Sequence, residues 1–332
     1  MHIFKNTTFD FLRWRFHAIV LSWIIIFSGL FVFFTKGIPL AIEFAGGTSV
    51  VAKFDNQPSI EQVRAAIDKA FPENVIVPYG NVADHQFMIR VPHVGGETGT
   101  SLTNTSAQIK DALDATKIGN VQIVATEIVG PAVGQELRSK AFLATVLSLI
   151  GILIYIAFRF QFSFGVGAVV ATIHDLLITL AFLAFFQYDM SLNVIAAILT
   201  MTGFSTNDTI VIFDRIRENL RGMRRDSMHH VINVSINQTL GRTVITSGTA
   251  LLTALALFFF GGDVLHGFAF TMVVGIITGT YSSVFIAAAI VSFWRGQGPT
   301  RAAAHAPASV AAPASQQQPT RKQKPQKKAR AS

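Results

Sequence analysis

Residues 192–213 read LNVIAAILTMTGFSTNDTIVIF. The run is long enough to cross a bilayer as a helix, for which about 20 apolar residues suffice. Five consecutive polar residues, Ser205, Thr206, Asn207, Asp208 and Thr209, interrupt it. A carboxylate near the centre of a membrane costs roughly 2.5–3.5 kcal/mol even on the insertion scale that penalises it least. A second such group, His174-Asp175, sits in the middle of another apolar run. Membrane chains rarely keep such groups without a use for them, so these two clusters are where function is sought.

Working outward, the 332 residues are 51% hydrophobic and only 14% charged, whereas a soluble domain carries about 25% charged residues. The composition is that of an integral membrane protein with some aqueous-phase mass, not a simple cytosolic enzyme. The absence of cysteine excludes disulfides and thiolate metal sites. Six apolar runs approach the length of a span, at 14–34, 141–158, 164–186, 192–213, 244–260 and 268–294. The first follows Arg13 and Arg15 as a signal peptide would. It is long for such a peptide and no A-x-A-like cleavage site follows, so it reads as a retained anchor.

The net charge of +8 matters less than its distribution. With the N-terminus inside, the inside segments hold three, one, six and eight lysines and arginines, and the short outside loops 187–191 and 261–266 hold none. Both termini are therefore expected inside. The large outside segment can translocate largely regardless of its charge. The expected division is an inside N-terminus at 1–13, a first span at 14–34, an outside domain at 35–139, spans two to six at 140–294 and a basic inside tail at 295–332.

The outside segment reads as a folded domain. Residues 42–54 have strand character with a Gly46-Gly47 interruption, which suggests a bulge or a close backbone approach. Residues 59–71 are helical by spacing and open on a capping box, Ser59 with Gln62. Strands follow at 75–79 and 86–91. A helix at 101–116 has Ile109 and Leu113 on one face, and a last strand covers 120–129. The order β-α-β-β-α-β is the split βαβ, ferredoxin-like pattern. The tail from residue 296 is rich in Ala, Pro, Gln, Lys and Arg and holds no acidic residue. It is expected to be disordered, since it cannot offset its ordering entropy by burial. Its basic run at 321–330 reads either as a solvated tail or as a segment attracted to anionic lipid or ribosomal RNA.

On a helix Ser205, Asp208 and Ile212 share a face. If that face meets other helices, Asp208 can exchange a proton in a low-dielectric setting. The alternative is a structural polar contact between helices, worth about 0.6 kcal/mol. Arg242, at the start of the fifth apolar run, reads either as the counter-ion of Asp208 or as an ordinary positive flank. His174-Asp175 also occurs as a metal signature in soluble phosphohydrolases, but no second ligand pair stands at suitable spacing here. An intramembrane aspartyl protease would carry Gly-x-Gly-Asp, which is absent. A relay or helix-packing role is left for that pair. No P-loop, Ser/His/Asp set or dinucleotide fingerprint is present, and no enzyme is inferred. Gly275 and Gly279 form a GxxxG pattern that permits close helix contact.

The run 203–219, GFSTNDTIVIFDRIREN, closely resembles the signature of the SecF family of bacterial protein-export membrane proteins. Residues 42–48, IEFAGGT, with Glu43, Phe44, Gly46 and Gly47, resemble the family's G-I-D-F-x-G-G-T. Residues 129–137, VGPAVGQEL, with Gly130, Pro131 and Gly134, resemble its V-G-P-x-V-G-x-E-L, and His174-Asp175 fits its HD. The resemblance covers about residues 10–294. Glu43 stands where the family usually has Asp, and Ala41 where it usually has Gly.

The resemblance implies six transmembrane helices, like half of an RND-type transporter, with a periplasmic domain between the first two spans. It implies a multi-pass protein of the bacterial inner membrane that pairs with SecD and assists the SecYEG channel and its SecA motor. YajC, YidC, unfolded preprotein and membrane lipids are further implied partners, with no specific nucleic acid. The coupling ion is the proton and no other cofactor is implied. By position in the motif, Asp208 matches the family's proton-path carboxylate and Arg242 its partner arginine, and Asn207, His174 and Asp175 are expected to belong to the same proton pathway. The rival readings are an RND-type exporter subunit and a non-transporting scaffold.

Overall fold

The computed structural model describes residues 7–80, 84–92, 99–116, 118–159 and 161–295. The expectations for the tail, its basic run included, lie outside the described residues. A 3₁₀ turn, Phe11–Trp14, is capped by Asp10, whose carboxylate accepts from the Arg13 N–H. It leads into α1 (Arg15–Lys36). The α+β domain follows as α2 (Ile42–Ala45), β1 (Gly47–Phe54), α3 (Ile60–Ile67), β2 (Val75–Tyr79), β3 (Gln86–Pro92), α4 (Gly99–Ala115) and β4 (Val121–Val129). The strand order is β2-β3-β1-β4 with every pair antiparallel, which is the ferredoxin-like arrangement that the element order predicts.

Alternation decides which face of the sheet is covered. Val50, Ala52 and Phe54 of β1 and Phe87, Ile89 and Val91 of β3 point to one side. There they pack on Val63 and Ile67 of α3 and Ile109 and Leu113 of α4. Burying each such side chain stabilises by about 1.5–3 kcal/mol. The capping box at α3 forms as the sequence predicts: Gln62 N–H donates to Ser59 Oγ at 3.3 Å, and Ser59 N–H to Gln62 Oε1 at 2.9 Å. The helix stops at Ile67, short of the expected residue 71. Phe71 precedes Pro72, and helical backbone is disfavoured there.

The first strand is also shorter than expected. Residues 42–45 form the helical turn α2, and β1 begins only at Gly47. The N–H groups of Phe44, Ala45 and Gly46 bond back to the carbonyls of Ala41 and Ile42, so they are not available to a ladder. Gly46 (φ +75°) and Gly47 (φ +127°) then turn the chain into the sheet in backbone regions that favour glycine.

The remaining helices are α5 (Pro131–Arg159), α6 (Phe162–Phe186), α7 (Leu192–Gly222), α8 (Met228–Phe260), α9 (Gly262–Ser282) and α10 (Ala288–Arg295), the last two joined by a π turn, Ser283–Ala287. Six helical stretches among the described residues are long and apolar enough to cross a membrane. They coincide with the six expected runs, although several extend beyond them. The largest extension is α8, which starts at Met228, well ahead of the apolar run at 244. Ser227 caps it by accepting from His230 N–H. Its polar first half is held by side chains: Asn233 donates to Asp10 at 2.6 Å, Asn237 to the Phe9 carbonyl, and Gln238 accepts from Asn219. Arg242 is consequently a mid-helix residue and does not begin the span.

The α+β domain docks on the loop at 187–191, which joins α6 to α7. Met190 N–H donates to the Pro39 carbonyl and Ala41 N–H to the Met190 carbonyl. Arg90 of β3 pairs with Asp189 at 2.6 Å, with 17% and 29% of the two side chains exposed. A cleft of about 400 Å³ lies between the open face of the sheet and this loop. In it, partial burial and then the nearby carboxylates of Asp263 and Glu127 push the Tyr79 phenol above its ordinary range. Breaking the half-buried Arg90–Asp189 pair should cost about 1–1.5 kcal/mol. Arg90→Ala is therefore expected to speed amide exchange at Met190 and Ala41 roughly tenfold, and unchanged exchange there would remove the pair from the docking.

Candidate functional site

The two acidic clusters singled out in the sequence come together inside the helical bundle. Asp175 of α6 is 1% exposed and Asp208 of α7 is 6% exposed. Asp175 Oδ2 accepts from Ser205 Oγ of α7 at 2.5 Å and from Ser282 Oγ of α9 at 2.8 Å. Its Oδ1 lies 3.0 Å from His174 Nδ1. Asp208 Oδ1 accepts from Thr243 Oγ1 of α8 at 2.8 Å, and its Oδ2 accepts from Ser283 Oγ at 2.7 Å. Four helices thus supply the site, and every side-chain group bonded to the two acids, other than the His174 ring, is a hydroxyl.

Local sequence places these groups. Ser205 and Asp208 stand three apart on α7 and so share a face. Gly275 and Gly279, the GxxxG pair of α9, provide the close approach. A Cβ at Gly279 would lie 2.7 Å from Ser205 Cβ, and one at Gly275 would lie 2.7 Å from Met201 Cβ. Ser282 and Ser283 follow one turn later and meet the two carboxylates. Ser283 is also the first residue of the π turn, a local irregularity frequent at functional sites.

Of the other predicted residues, His174 borders this cradle and Asn207 and Arg242 lie outside it. His174 is buried, with Nε2 unpartnered and its ring stacked on Tyr281 at 6.2 Å between centroids. Asn207 is exposed and lines a groove of about 580 Å³ between α5 and α7, with Tyr155, Gly151 and Gly203. Arg242 does not pair with Asp208. Its side chain is exposed, it remains within electrostatic reach of the carboxylate, and the hydrogen bond to Asp208 comes from the next residue, Thr243. On a helix successive side chains diverge by about 100°, so only one of the two can face α7. Thr243, Ser282 and Ser283 were not predicted as site residues. Their signal was available as hydroxyls within apolar runs, but helical hydroxyls usually bond to their own backbone.

The remaining two motifs form a joint between the α+β domain and α5. A Cβ at Gly134 would lie 3.3 Å from Gly46 N and 3.5 Å from the Glu43 carbonyl, and Gly46 packs on Pro131. Arg138 donates to the Phe44 carbonyl at 2.6 Å. Gly130 precedes the helix and has open space around it. Glu43 lines the cleft beneath the sheet.

Comparison with known proteins follows these motifs. The family described as protein export membrane protein SecD/SecF, C-terminal, matches residues 108–297, and the SecD/SecF GG motif matches residues 31–58. The protein translocase subunit SecF of Desulfurispirillum indicum is 40% identical over 86% of this chain and 91% of its own length. That of Escherichia coli O157:H7 is 36% identical over 85% of this chain and 86% of its own. Among solved structures, SecDF of Thermus thermophilus, a translocon-associated membrane protein, superposes with a TM-score of 0.76 at 36% identity. That match covers 88% of this chain and 39% of the SecDF chain. SecDF in a super-membrane-facing form gives a TM-score of 0.64, again at 36% identity, over 91% of this chain and 40% of its own.

The close contact of α7 with α9 gives a direct test of the site's packing. Gly279→Ala should overpack the contact and destabilise the bundle by about 1–3 kcal/mol. Gly203→Ala, whose added Cβ meets nothing within 4 Å, should be near neutral. Thermal unfolding of the two variants in detergent checks this, and equal midpoints would contradict the contact.

Proposed function

This chain belongs to the SecF family of protein translocase subunits, and from that premise we propose that Asp208 is the group that takes up and releases protons when the Sec machinery draws on the proton gradient. One observation carries the reading. Asp208 is buried among the spans, yet its hydrogen-bond partners are hydroxyls alone, and among the described residues no lysine or arginine lies within 4 Å of it. A hydroxyl donates or accepts as required. The same cradle therefore holds the ionised and the neutral acid, where an arginine partner would lock the ionised form.

Partnership with SecD follows from the family and from the likeness to SecDF. On the proposed reading the pair acts on preprotein leaving the SecYEG channel after SecA has driven it in, with YajC and YidC as neighbours in the membrane. Both termini are inside and the α+β domain is periplasmic. Asp175 and His174 continue the proton path from Asp208, and Arg242 and Asn207 flank it on the exposed side. One charge crossing 100 mV releases about 2.3 kcal/mol, so a few protons suffice to bias a two-state element. No catalytic step on a substrate is assigned to the chain.

The test is Asp208→Asn in the full chain, assembled with its partner in membrane vesicles. Assembly should be normal, and late translocation should lose its dependence on the proton gradient. A variant that exports with undiminished gradient dependence would leave the chain as a scaffold of the channel. Arg242→Met is expected to weaken the dependence as well, by removing the nearest positive field on Asp208.

A further inference from the structure

Asp175 and Asp208 stand on different helices and share no hydrogen-bond donor. Two adjacent residues nevertheless connect them. Ser282 Oγ donates to Asp175 Oδ2 at 2.8 Å, and Ser283 Oγ donates to Asp208 Oδ2 at 2.7 Å. Consecutive side chains on a helix diverge by about 100°, which lets one dipeptide of the last span reach α6 and α7 together. Both serines are 0% exposed.

Each serine also has a second acceptor in its own helix. Ser282 Oγ lies 3.2 Å from the Gly279 carbonyl, and Ser283 Oγ lies 3.0 Å from the Thr280 carbonyl. A hydroxyl has one proton to give. Facing an ionised acid, it gives that proton to the carboxylate. Facing a protonated acid, it accepts from the carboxyl and turns its own proton to the backbone carbonyl. Both serines lie where α9 ends and the π turn Ser283–Ala287 begins.

We infer that Ser282 and Ser283 are positioning residues that tie the protonation states of Asp175 and Asp208 to each other and to the π turn of the last span. The inference rests on the proposed proton exchange at Asp208. The charged or titratable groups around the pair are His174 beside Asp175, Tyr281 against His174, and Arg242 within reach of Asp208. None of them bridges the two acids; Ser205 ties Asp175 to the helix that carries Asp208, and the adjacent serines are the one dipeptide whose hydroxyls meet both carboxylates directly.

The experiment uses the full chain with its partner in lipid vesicles, followed by infrared difference spectroscopy across pH. The carboxyl band lost in Asp208→Asn identifies Asp208, and the band lost in Asp175→Asn identifies Asp175. Ser283→Ala is expected to move the Asp208 midpoint by about one pH unit or more, the scale of one hydrogen bond to a charged group. Ser283→Thr, which keeps the hydroxyl, should return it toward its original position. Asp175→Asn should shift the Asp208 midpoint when both serines are present, and that shift should shrink when both are alanine, to the part carried by Ser205 and by the charge of Asp175 through space. Should the double alanine chain fail to assemble, the single variants carry the test, each on its own carboxyl band. Midpoints indifferent to both serines overturn the inference while leaving proton exchange intact. An Asp208 band that titrates nowhere overturns the proton reading itself.

Discussion

Two carboxylates inside an apolar bundle have to be satisfied where, among the described residues, no lysine or arginine lies within 4 Å of either, and the arrangement of the spans answers that requirement. Asp175 and Asp208 draw their hydroxyl donors from three helical elements: Ser205 from α7, Thr243 from α8, and Ser282 and Ser283 from the last span. Those distances demand that α9 lie against α6, α7 and α8 together, and it is the most buried of the six spans. Glycine at 275 and 279 follows from the same demand, because a side chain there would hold α9 away from Met201 and Ser205. By contrast α5 offers Phe142, Leu147, Ile154 and Phe158 outward, as suits a helix facing lipid or another apolar chain.

The acids are also joined, along the chain, to the loop that the α+β domain contacts. α6 carries Asp175 and runs to Phe186, the loop at 187–191 follows, and α7 starts at Leu192 and carries Asp208. That loop is the piece of the bundle the domain grips, through backbone pairing at Pro39 and Ala41 and through Arg90–Asp189. A second attachment, where Gly46 meets Pro131 and Gly134, joins the domain to α5. Parts of two helices and one short loop thus lie between the buried carboxylates and a sheet strand.

Much of this was legible in the sequence, and the exceptions have identifiable causes. Hydropathy gave the number of spans because the requirement on length is strong. It gave their ends poorly, since α8 continues through a polar half stabilised by Asn233, Asn237 and Gln238, which no apolar count registers. The order of strands and helices and the Ser59–Gln62 box led to the ferredoxin-like sheet, while the strand expected from Ile42 gave way to a helical turn closed by Gly46. At the site, Asp208 and Asp175 stood out because charge in a span is conspicuous. Ser205 stood out with them, but Thr243, Ser282 and Ser283 did not stand out as partners of the acids, because serine and threonine in spans are common and mostly bond to their own helix, as Thr172 and Thr179 do here. The expected pairing of Arg242 with Asp208 rested on a shared side of the membrane, and one step of helical rotation gives the contact to Thr243 instead.

The choice of hydroxyls over a salt bridge has an energetic logic on the proposed reading. Removing one partner from a buried ion pair costs about 3–5 kcal/mol, more than the roughly 2.3 kcal/mol that one charge yields in crossing 100 mV. A site built on such a pair would stay ionised against the gradient. A hydrogen bond to a charged group is worth about 1.5–3 kcal/mol, and the serine that made it recovers part of that by bonding to Gly279 or Thr280 in its own helix. The two protonation states then differ by an amount comparable to what a single proton supplies. That near balance is the condition under which a modest driving force moves a population from one state to the other, and it is set by the hydroxyls of α7, α8 and the last span, not by the carboxylates alone.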